Sequence, residues 1–377
     1  MAVKPRYLKA GRKEKIKILD EFCRNAGYVR KYAIRIFKAS YDYRRVAREG
    51  RKPRKKKYSS EAIAAVIKIW ELLDFPCGAR LKPMLISTLE SMARHKEIFV
   101  SEKNKLLLGK ISAKTLDRRL KKERQIRRLD RNRGTTRHGS LLKSSIPIRI
   151  TNWDTTKVGF MEMDTVAHNG GDPSGSFIYS LDMVEIYSSW SEQVAIMGKG
   201  EAGVVAAVNG IKSNLPFELS GLDSDSGSEF VNWHMVKYCD KNKLFFTRSR
   251  PDRKNDNAYV EQKNYTHIRK QLGYGRYDTA GQLLAINDLY RNELRLFNNF
   301  FKPVMKIISK EKINNSVCRK KYDVAKTPFQ RLMKCPQITK EKKKEMSALY
   351  LSLNPVKLKR AIDEKTKKIK KIQSLTK

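Results

Sequence analysis

The sequence predicts a multidomain chain in which all-α domains precede an α/β domain with a five-stranded mixed sheet. From residue 12 to residue 124, apolar residues recur at helical spacing between charge-rich breaks. From Trp153 the pattern changes to short alternating segments bounded by glycine and proline, and then to strands that alternate with helices. A chain of 377 residues has room for about two to four domains.

Charge is the strongest compositional signal. The chain has 81 Lys and Arg residues against 39 Asp and Glu residues, a formal net charge of +42. Such an imbalance is self-repelling unless a polyanion neutralises it, so nucleic acid is the favoured partner over a merely solvated basic surface. No apolar run reaches the ~20 residues of a membrane span, and residues 1–12 lack a signal-peptide segment. We therefore expect no membrane association and a cytoplasmic, nucleoid-associated protein.

Residues 1–50 predict a first helical domain. Ile16, Leu19 and Phe22 recur at helical spacing, Gly27 marks a turn, and an apolar second helix follows. This pattern is typical of a helix-turn-helix that binds DNA, and equally of any small helical hairpin. A basic run with one proline, residues 51–57, separates it from the next helices as a linker.

Residues 51–124 predict a second helical DNA-binding domain. Helices are expected from Ser59 to Leu73 and from Lys82 to His95. A third helix follows Ser112, a favourable N-cap, with Leu116 and Leu120 directed inward. Its other face is basic, as a recognition helix requires, although a merely solvated face would have the same pattern. The candidate DNA contacts are Lys114, Arg118, Arg119, Lys121 and Lys122.

The predicted α/β domain spans residues 153–300 and follows a basic linker, residues 125–152. Three strands form a meander, and alternating helices and strands come after it, which is the element order of a ribonuclease H-like fold. The expected strands are 158–164, 177–182, 190–196, one ending near 222, and 244–247; the expected helices are 201–214, 229–241 and 255–272. Residues 301–377 predict an extended segment and a basic helical region with Leu349, Leu351, Leu353 and Ile362 as apolar anchors.

Three acidic residues of this domain stand where carboxylates for metal-dependent chemistry would be expected. Asp164 ends the first strand, Asp225 follows a later strand, and Glu261, after 35 intervening residues, lies in a long helix. Phosphoryl transfer at DNA uses oxygen ligands that hold two divalent ions about 3.5–4 Å apart. Asp223 is a rival for the second position.

The surrounding motifs resemble those of DDE transposases of the retroviral-integrase superfamily, in particular bacterial insertion-sequence transposases with an integrase catalytic core. The matching stretches are MDTVAHNGG (163–171), GLDSDSGSEF (221–230) and TRSRPDRKNDNAYVEQKN (247–264). The resemblance implies that Asp164 bridges two Mg²⁺ (or Mn²⁺) ions, that Asp225 binds one of them and that Glu261 binds the other. It favours Asp225 over Asp223.

Two positions depart from the family pattern. Ser226 stands where the family usually has Asn, and Asn169 stands where Cys is common. Because Ser226 retains a hydroxyl group, we expect a weakened geometry and not its loss.

Residues around Glu261 are further candidates. Asn257 and Asn264 lie one helical turn to either side and share the face of Glu261, where they would orient the acid or contact DNA. The basic residues of this region are candidate DNA contacts as well, with solvated helix charges as the alternative. They are Lys254, Lys263, Arg269 and Lys270.

The resulting hypothesis is a transposase that binds the terminal inverted repeats of a double-stranded DNA element, cuts at its ends and joins them to target DNA. Two ends must reach one target, so a homo-oligomer is expected. Two alternatives stay open from the residues: a non-catalytic DNA-binding protein derived from such an enzyme, and a ribonuclease H-like nuclease that does not join strands.

Overall fold

The computed structural model describes residues 3–38, 57–127, 156–225, 227, 229–249, 258–312 and 318–372. The chain divides into two compact units, Met1–Lys57 and Tyr58–Lys377. Most of the two expected basic linkers lies outside the described residues.

The first unit contains three helices: α1 (Val3–Lys9), α2 (Arg12–Ala26) and α3 (Arg30–Lys38). Gly27 ends α2 in the left-handed conformation, with φ of 67°, and its N–H donates to the Cys23 carbonyl. Such a φ favours glycine, so the sequence sets this turn. The core consists of Tyr7, Ala10, Ile18, Leu19, Ala33 and Phe37, whereas Ile16 and Tyr32 are exposed. The two expected helices are confirmed as α2 and α3, whereas α1 was not predicted. A helix-turn-helix function stays a prediction.

The second unit begins with four helices, α4 (Ser60–Leu72), α5 (Gly78–Arg94), α6 (Glu102–Gly109) and α7 (Ala113–Ile126). Side chains of Ser59, Ser101 and Ser112 cap three of them. Leu116 and Leu120 of α7 are fully buried, as expected. Helix α5 begins four residues before the predicted start, because Asp117 of α7 accepts from the Gly78 N–H at 2.8 Å. Helix α6, too short for a clear apolar stripe, was not predicted.

The predicted five-stranded mixed sheet is confirmed. Its strands are β1 (Phe160–Ala167), β2 (Ile178–Glu185), β3 (Ser191–Met197), β4 (Gly221–Ser224) and β5 (Phe245–Arg248). The order is β3-β2-β1-β4-β5. β1 pairs antiparallel with β2 and β2 with β3, whereas β1–β4 and β4–β5 are parallel. Helix α8 (Glu201–Lys212) packs against β3 and α9 (Trp233–Lys241) against β5. Helix α9 begins later than predicted because Asn232 caps it.

A helical stretch that contains Glu261 follows the sheet. It comprises α10 (Ala258–Lys263), a π-helical segment (Asn264–Arg269) and α11 (Lys270–Leu272). α10 packs against β1 and β2. A second such stretch contains α12 (Ala280–Leu289), a π-helical segment (Tyr290–Leu294) and α13 (Arg295–Phe300), and it packs against β3.

The C-terminal region is a two-stranded ribbon and three helices. They are β6 (Ile307–Lys312), β7 (Cys318–Tyr322), α14 (Pro328–Lys334), α15 (Lys340–Ser352) and α16 (Pro355–Lys371). Of the four expected anchors, Leu353 and Ile362 are buried, whereas Leu349 and Leu351 are exposed. None of the helices in the described ranges combines the length and apolar character that crossing a bilayer requires.

Asp74 joins three parts of the second unit. It lies between α4 and α5 with φ of 62°. Its carboxylate lies 2.9 Å from Lys302 Nζ, after α13, and 3.0 Å from Lys359 Nζ, on α16. Lys270 Nζ donates to the Asp74 carbonyl at 3.1 Å. Burial alone would raise the pKa of Asp74, but the charges of the three lysines outweigh burial and lower it.

We predict that Asp74→Asn lowers the free energy of unfolding by about 3 kcal/mol at neutral pH, because it leaves buried ammonium groups without a counter-charge. Asn tolerates the left-handed conformation, so the substitution isolates the charge. Asp363→Asn is the control: it also pairs with Lys359, at 3.0 Å, but its side chain is 51% exposed, and we expect less than about 1 kcal/mol. Equal urea midpoints for the two variants would contradict the assignment.

Candidate active site

Asp164 and Asp225 are brought together by the parallel pairing of β1 and β4. In that ladder Met163 is opposite Ser224, so Asp164 and Asp225 are the next residue on each strand. Asp225 Oδ1 accepts from the Gly227 N–H at 2.9 Å, which holds the turn after β4. Strand pairing therefore places both carboxylates at the same end of the sheet.

Glu261 is placed by a contact between its helix and β1. The buried carboxylate of Glu162 accepts from the backbone N–H groups of Tyr259 and Val260, at 3.0 and 3.2 Å. An acceptor at the first turn of a helix satisfies N–H groups that have no partner within the helix. Glu162 lies two residues before Asp164 and thus anchors the helix that carries Glu261 beside the strand that carries Asp164.

The electrostatics of Asp164 show that the three predicted acids influence one another. Burial, together with the charges of Asp225 and Glu261, raises the pKa of Asp164 to about 7. Two hydrogen bonds oppose this shift: Asn264 Nδ2 donates at 2.6 Å and the Thr165 N–H at 2.7 Å. Asn264 thus contacts Asp164 on β1, although it was predicted to orient Glu261 on its own helical stretch.

Asp223, the rival for the second position, has another partner. Its buried carboxylate accepts from the hydroxyl group of Thr247, its neighbour across β4 and β5. The charge of Asp225, by contrast, raises the pKa of Asp164. The geometry thus favours Asp225, as the motif did.

Glu229 is a neighbouring carboxylate that the sequence analysis missed. It accepts from the Thr165 hydroxyl at 3.1 Å and lies 3.4 Å from Lys199 Nζ. A Cβ atom on Gly227 would lie 2.8 Å from Glu229 Oε2 and 2.9 Å from Asp225 Oδ1. Glycine at 227 therefore allows the two carboxylates to approach. The signal was present in the sequence, as a glycine two residues from each acid.

A buried charged pair lies behind Asp164. Asp182 is opposite Asp164 on β2, is fully buried, and accepts from Gln193 Nε2 at 2.8 Å. Burial raises the pKa of Asp182 to about 7. Burial also lowers the pKa of Lys263 to about 7, against the attraction of Asp182. The sequence gave no signal that Lys263 is a neighbour of Asp182, because Asp182 is an isolated acid within a strand and Lys263 lies on a helix about 80 residues later.

The predicted DNA contacts fall into three groups. Lys114, Arg118, Arg119, Lys121 and Lys122 are all exposed on α7. Lys263 is buried, Arg269 donates to the Ala167 carbonyl at 2.8 Å, and Lys270 contacts Asp74. Lys254 and Asn257 lie outside the described residues.

Two histidines of this domain, His168 and His267, are structural. His168 Nε2 shares a hydrogen bond with Ser180 Oγ at 2.8 Å, and His267 Nδ1 with Ser191 Oγ at 3.1 Å. Burial lowers the pKa of His168 to about 3 and that of His267 well below its usual value. Both rings are neutral at pH 7 and tie β2 and β3 to the surrounding elements.

The donor chemistry around Asp164 fits a hard divalent cation. The side chains of Asp164, Asp225 and Glu261 offer only oxygen ligands, and their mutual repulsion is what a cation would relieve. Asn264 Oδ1 is a buried acceptor with no hydrogen bond among the described residues. Within the described ranges, no group of three or more His, Cys, Asp or Glu side chains is already arranged to hold a metal ion. The three carboxylates would therefore have to move closer together to bind a metal ion.

We predict that Asp164→Asn stabilises the metal-free protein most above pH 7, and to about a third of that extent at about pH 5. The folded pKa of about 7 is above the unfolded value of about 3.9. The contribution of Asp164 to stability is therefore fully present below about pH 3.9 and is lost as the pH rises to about 7. With partial solvent screening, we expect a gain of about 1–2 kcal/mol at about pH 8.5, measured by urea unfolding in EDTA. Asp240→Asn, an exposed carboxylate of α9, is the control; a gain independent of pH would contradict the prediction.

Comparison with known proteins identifies one relative at high sequence similarity. No family model matches the chain. The catalytic core domain of BIV integrase is 14% identical with a TM-score of 0.31, covering 46% of this chain and 91% of that domain. The intasome of simian T-cell lymphotropic virus, in complex with a PP2A regulatory subunit, is 9% identical with a TM-score of 0.22, covering 28% of this chain and 41% of the matched chain. TM-scores this low assign neither fold nor activity.

The relative is a bacterial protein from Sinorhizobium fredii whose printed name is "Uncharacterized protein y4rM". It is 36% identical over 320 residues, which cover 85% of this chain and 90% of the relative. Identity at this level over nearly the whole of both chains means that the chain belongs to the family of y4rM.

Proposed function

We propose that the chain is a DDE-type DNA transposase, a polynucleotidyl transferase that cuts the ends of a DNA element and joins them to target DNA. The observation that carries the proposal is the raised pKa of Asp164, to which the charges of both Asp225 and Glu261 contribute. Two acids that are distant along the chain, one at a strand end and one on a helix, thus influence a third. An ordinary surface carboxylate would not be surrounded in this way.

The topology supports the same proposal. A meander of three antiparallel strands, followed by two parallel strands in the order β3-β2-β1-β4-β5, is what the ribonuclease H-like interpretation requires. The candidate acids follow from it, since β1 and β4 are adjacent and parallel. Ligand sites in mixed sheets commonly lie at the carboxyl ends of such strands.

In the proposed mechanism, Asp164, Asp225 and Glu261 would together hold two Mg²⁺ (or Mn²⁺) ions. Bound there, the ions would supply activation of the attacking oxygen and stabilisation of the leaving oxygen. Asn264 holds the Asp164 carboxylate at 2.6 Å and Glu162 holds the start of α10. Water would open a phosphodiester at each element end, and the freed 3′-hydroxyl would then displace a phosphodiester of the target, forming one P–O bond as another breaks.

DNA is the proposed partner on electrostatic grounds. The net charge of +42 calls for a polyanion, and the exposed basic face of α7 is suited to phosphate contacts. We propose that it binds the terminal inverted repeats of the element. Joining two ends to one target would require a homo-oligomer on DNA.

The proposal is tested with Asp225→Asn and its matched control Asp223→Asn. Asp225→Asn should reduce Mg²⁺-dependent cleavage of labelled element ends by about 10³-fold or more, because it removes a metal ligand. Asp223→Asn should leave the cleavage rate of the folded protein within about tenfold, since Asp223 bonds Thr247. Retained cleavage in Asp225→Asn with loss in Asp223→Asn would overturn the assignment.

The same assay separates the rival functions. DNA binding without metal-dependent cleavage in the wild-type chain would indicate a non-catalytic DNA-binding protein. Cleavage without strand joining would indicate a nuclease, and a covalent protein–DNA adduct would exclude the proposed chemistry.

We predict that Glu162→Gln slows cleavage without weakening DNA binding. The neutral amide still accepts from Tyr259 and Val260, but it loses the interaction of its charge with the start of α10. Misplacement of Glu261 should lower kcat by about tenfold or more, with the dissociation constant for DNA within about twofold of wild type. An equal loss in affinity would indicate a general folding defect, which a melting curve would reveal.

A further inference from the structure

A cleft of about 810 Å³ opens between three parts of the second unit. One side is formed by the start of α5, with Arg80, and another by α10, with Tyr259 and Lys263. The ribbon of β6 and β7 closes it with Ile307 and Tyr322. Lys263 follows Glu261 by two positions, which is about 200° around a helix. The cleft therefore lies along a different face of α10 from the one that carries Glu261.

The charged side chains that line the cleft are basic. Among the described residues, those that line it include Arg80, Lys263 and Lys306 and no Asp or Glu. Lys306 is engaged, since it donates to the carbonyls of Ile186 and Tyr187. The side chain of Arg80 has no hydrogen bond or ion pair in the described part of the chain, whereas Lys263 is only 5% exposed and is attracted by the charge of Asp182. An unpaired guanidinium group that lines a polar cleft favours an anionic ligand.

The ribbon adds an apolar and aromatic surface to the cleft. Ile307 and Ile308 are exposed, and the Tyr322 ring is 45% exposed although it lines the cleft. Stacking surfaces opposite cations are typical of grooves that bind single nucleic-acid strands, with phosphates on one side and bases on the other. A volume in the range of about 300–1,000 Å³, which usually accommodates one small ligand, admits a few nucleotides of one strand and not a duplex.

We propose that this cleft binds one unpaired strand of DNA beside the candidate active site, with phosphates on Arg80 and Lys263 and a base on Tyr322. The inference rests on the proposed function for its choice of DNA as the ligand. The cleft would give a strand that leaves the duplex a place on the same helix that carries Glu261. The basic face of α7 remains available to duplex DNA.

The test measures binding of a fluorescent oligothymidine of about 12 nucleotides to the full chain in EDTA. Arg80→Gln should reduce the slope of log K against log salt by about 0.7, the loss of one phosphate contact on a single strand. Tyr322→Ser should weaken binding about fivefold or more with an unchanged slope, and Tyr322→Phe should retain it. Arg291→Gln, an exposed arginine outside the cleft, is the matched control. Lys263 is left in place because it is buried beside Asp182.

Two results would overturn the inference. One is binding by Arg80→Gln and Tyr322→Ser that equals binding by Arg291→Gln. The other is an equal loss of affinity for a duplex of the same length, which would assign the cleft to duplex DNA. Because the assay contains no metal, its result is independent of catalysis. If these variants lose binding but the wild-type chain does not cut DNA, the cleft is supported and the transposase function is rejected. If the wild-type chain cuts and joins DNA but the variants bind normally, the transposase function is supported and the cleft is rejected.

Discussion

Repulsion between carboxylates at one end of the sheet is the constraint on which the rest of the second unit depends. Two unit charges ~4 Å apart at an effective dielectric near 20 repel by about 4 kcal/mol. Asp164 and Asp225 are nevertheless held together by the parallel ladder of β1 and β4. The pKa of Asp164, about 7, records the cost. A sheet that maintains such a cluster must be stabilised elsewhere, and the buried hydrogen bonds of His168, Ser180 and Tyr290 across β2 contribute to that stability.

Positive charge is distributed around this cluster in two ways. Some cations are bound internally: Lys302 and Lys359 neutralise Asp74, and Arg295 bonds both oxygens of Glu192 at 2.7 and 2.8 Å. The Arg295–Glu192 pair fixes a helix to the sheet, and the Asp74 pairs fix helices to one another. Other cations, on the exposed face of α7 and at Arg80 in the cleft behind α10, are not used in this way. They lie on surfaces that a DNA backbone could reach, while Asp164 and Asp225 lie at the strand ends.

Local sequence predicted the sheet, and the motifs around its strand ends pointed to the three candidate acids, because these signals are local. Alternation and glycine turns define β1 to β3, and the run from Gly221 to Phe230 joins a short strand to a glycine turn. The contacts that position the acids were not predictable in this way. Glu162 caps a helix that begins almost 100 residues later, and Asp117 caps α5 from α7. Such partners are chosen by tertiary packing, so a carboxylate within a strand or helix has the same sequence pattern whether it is structural or surface-exposed.

The π-helical segment after Glu261 explains how one helical stretch can carry Glu261 and also contact β1 at two positions. A π turn adds a residue to the helical repeat and so changes the direction in which later side chains point. Asn264, at its start, faces Asp164, whereas His267 and Ile268 are buried and Arg269 reaches back to the Ala167 carbonyl at the end of β1. Asn264 and Arg269 thus bond to β1 at two positions three residues apart, Asp164 and Ala167. In a regular α-helix, Arg269 would be rotated by about 500° from Asn264, which would place the two side chains on different sides of the helix. The segment therefore clamps the helix of Glu261 to the strand of Asp164 at both ends, with Glu162 holding the beginning and Arg269 the end.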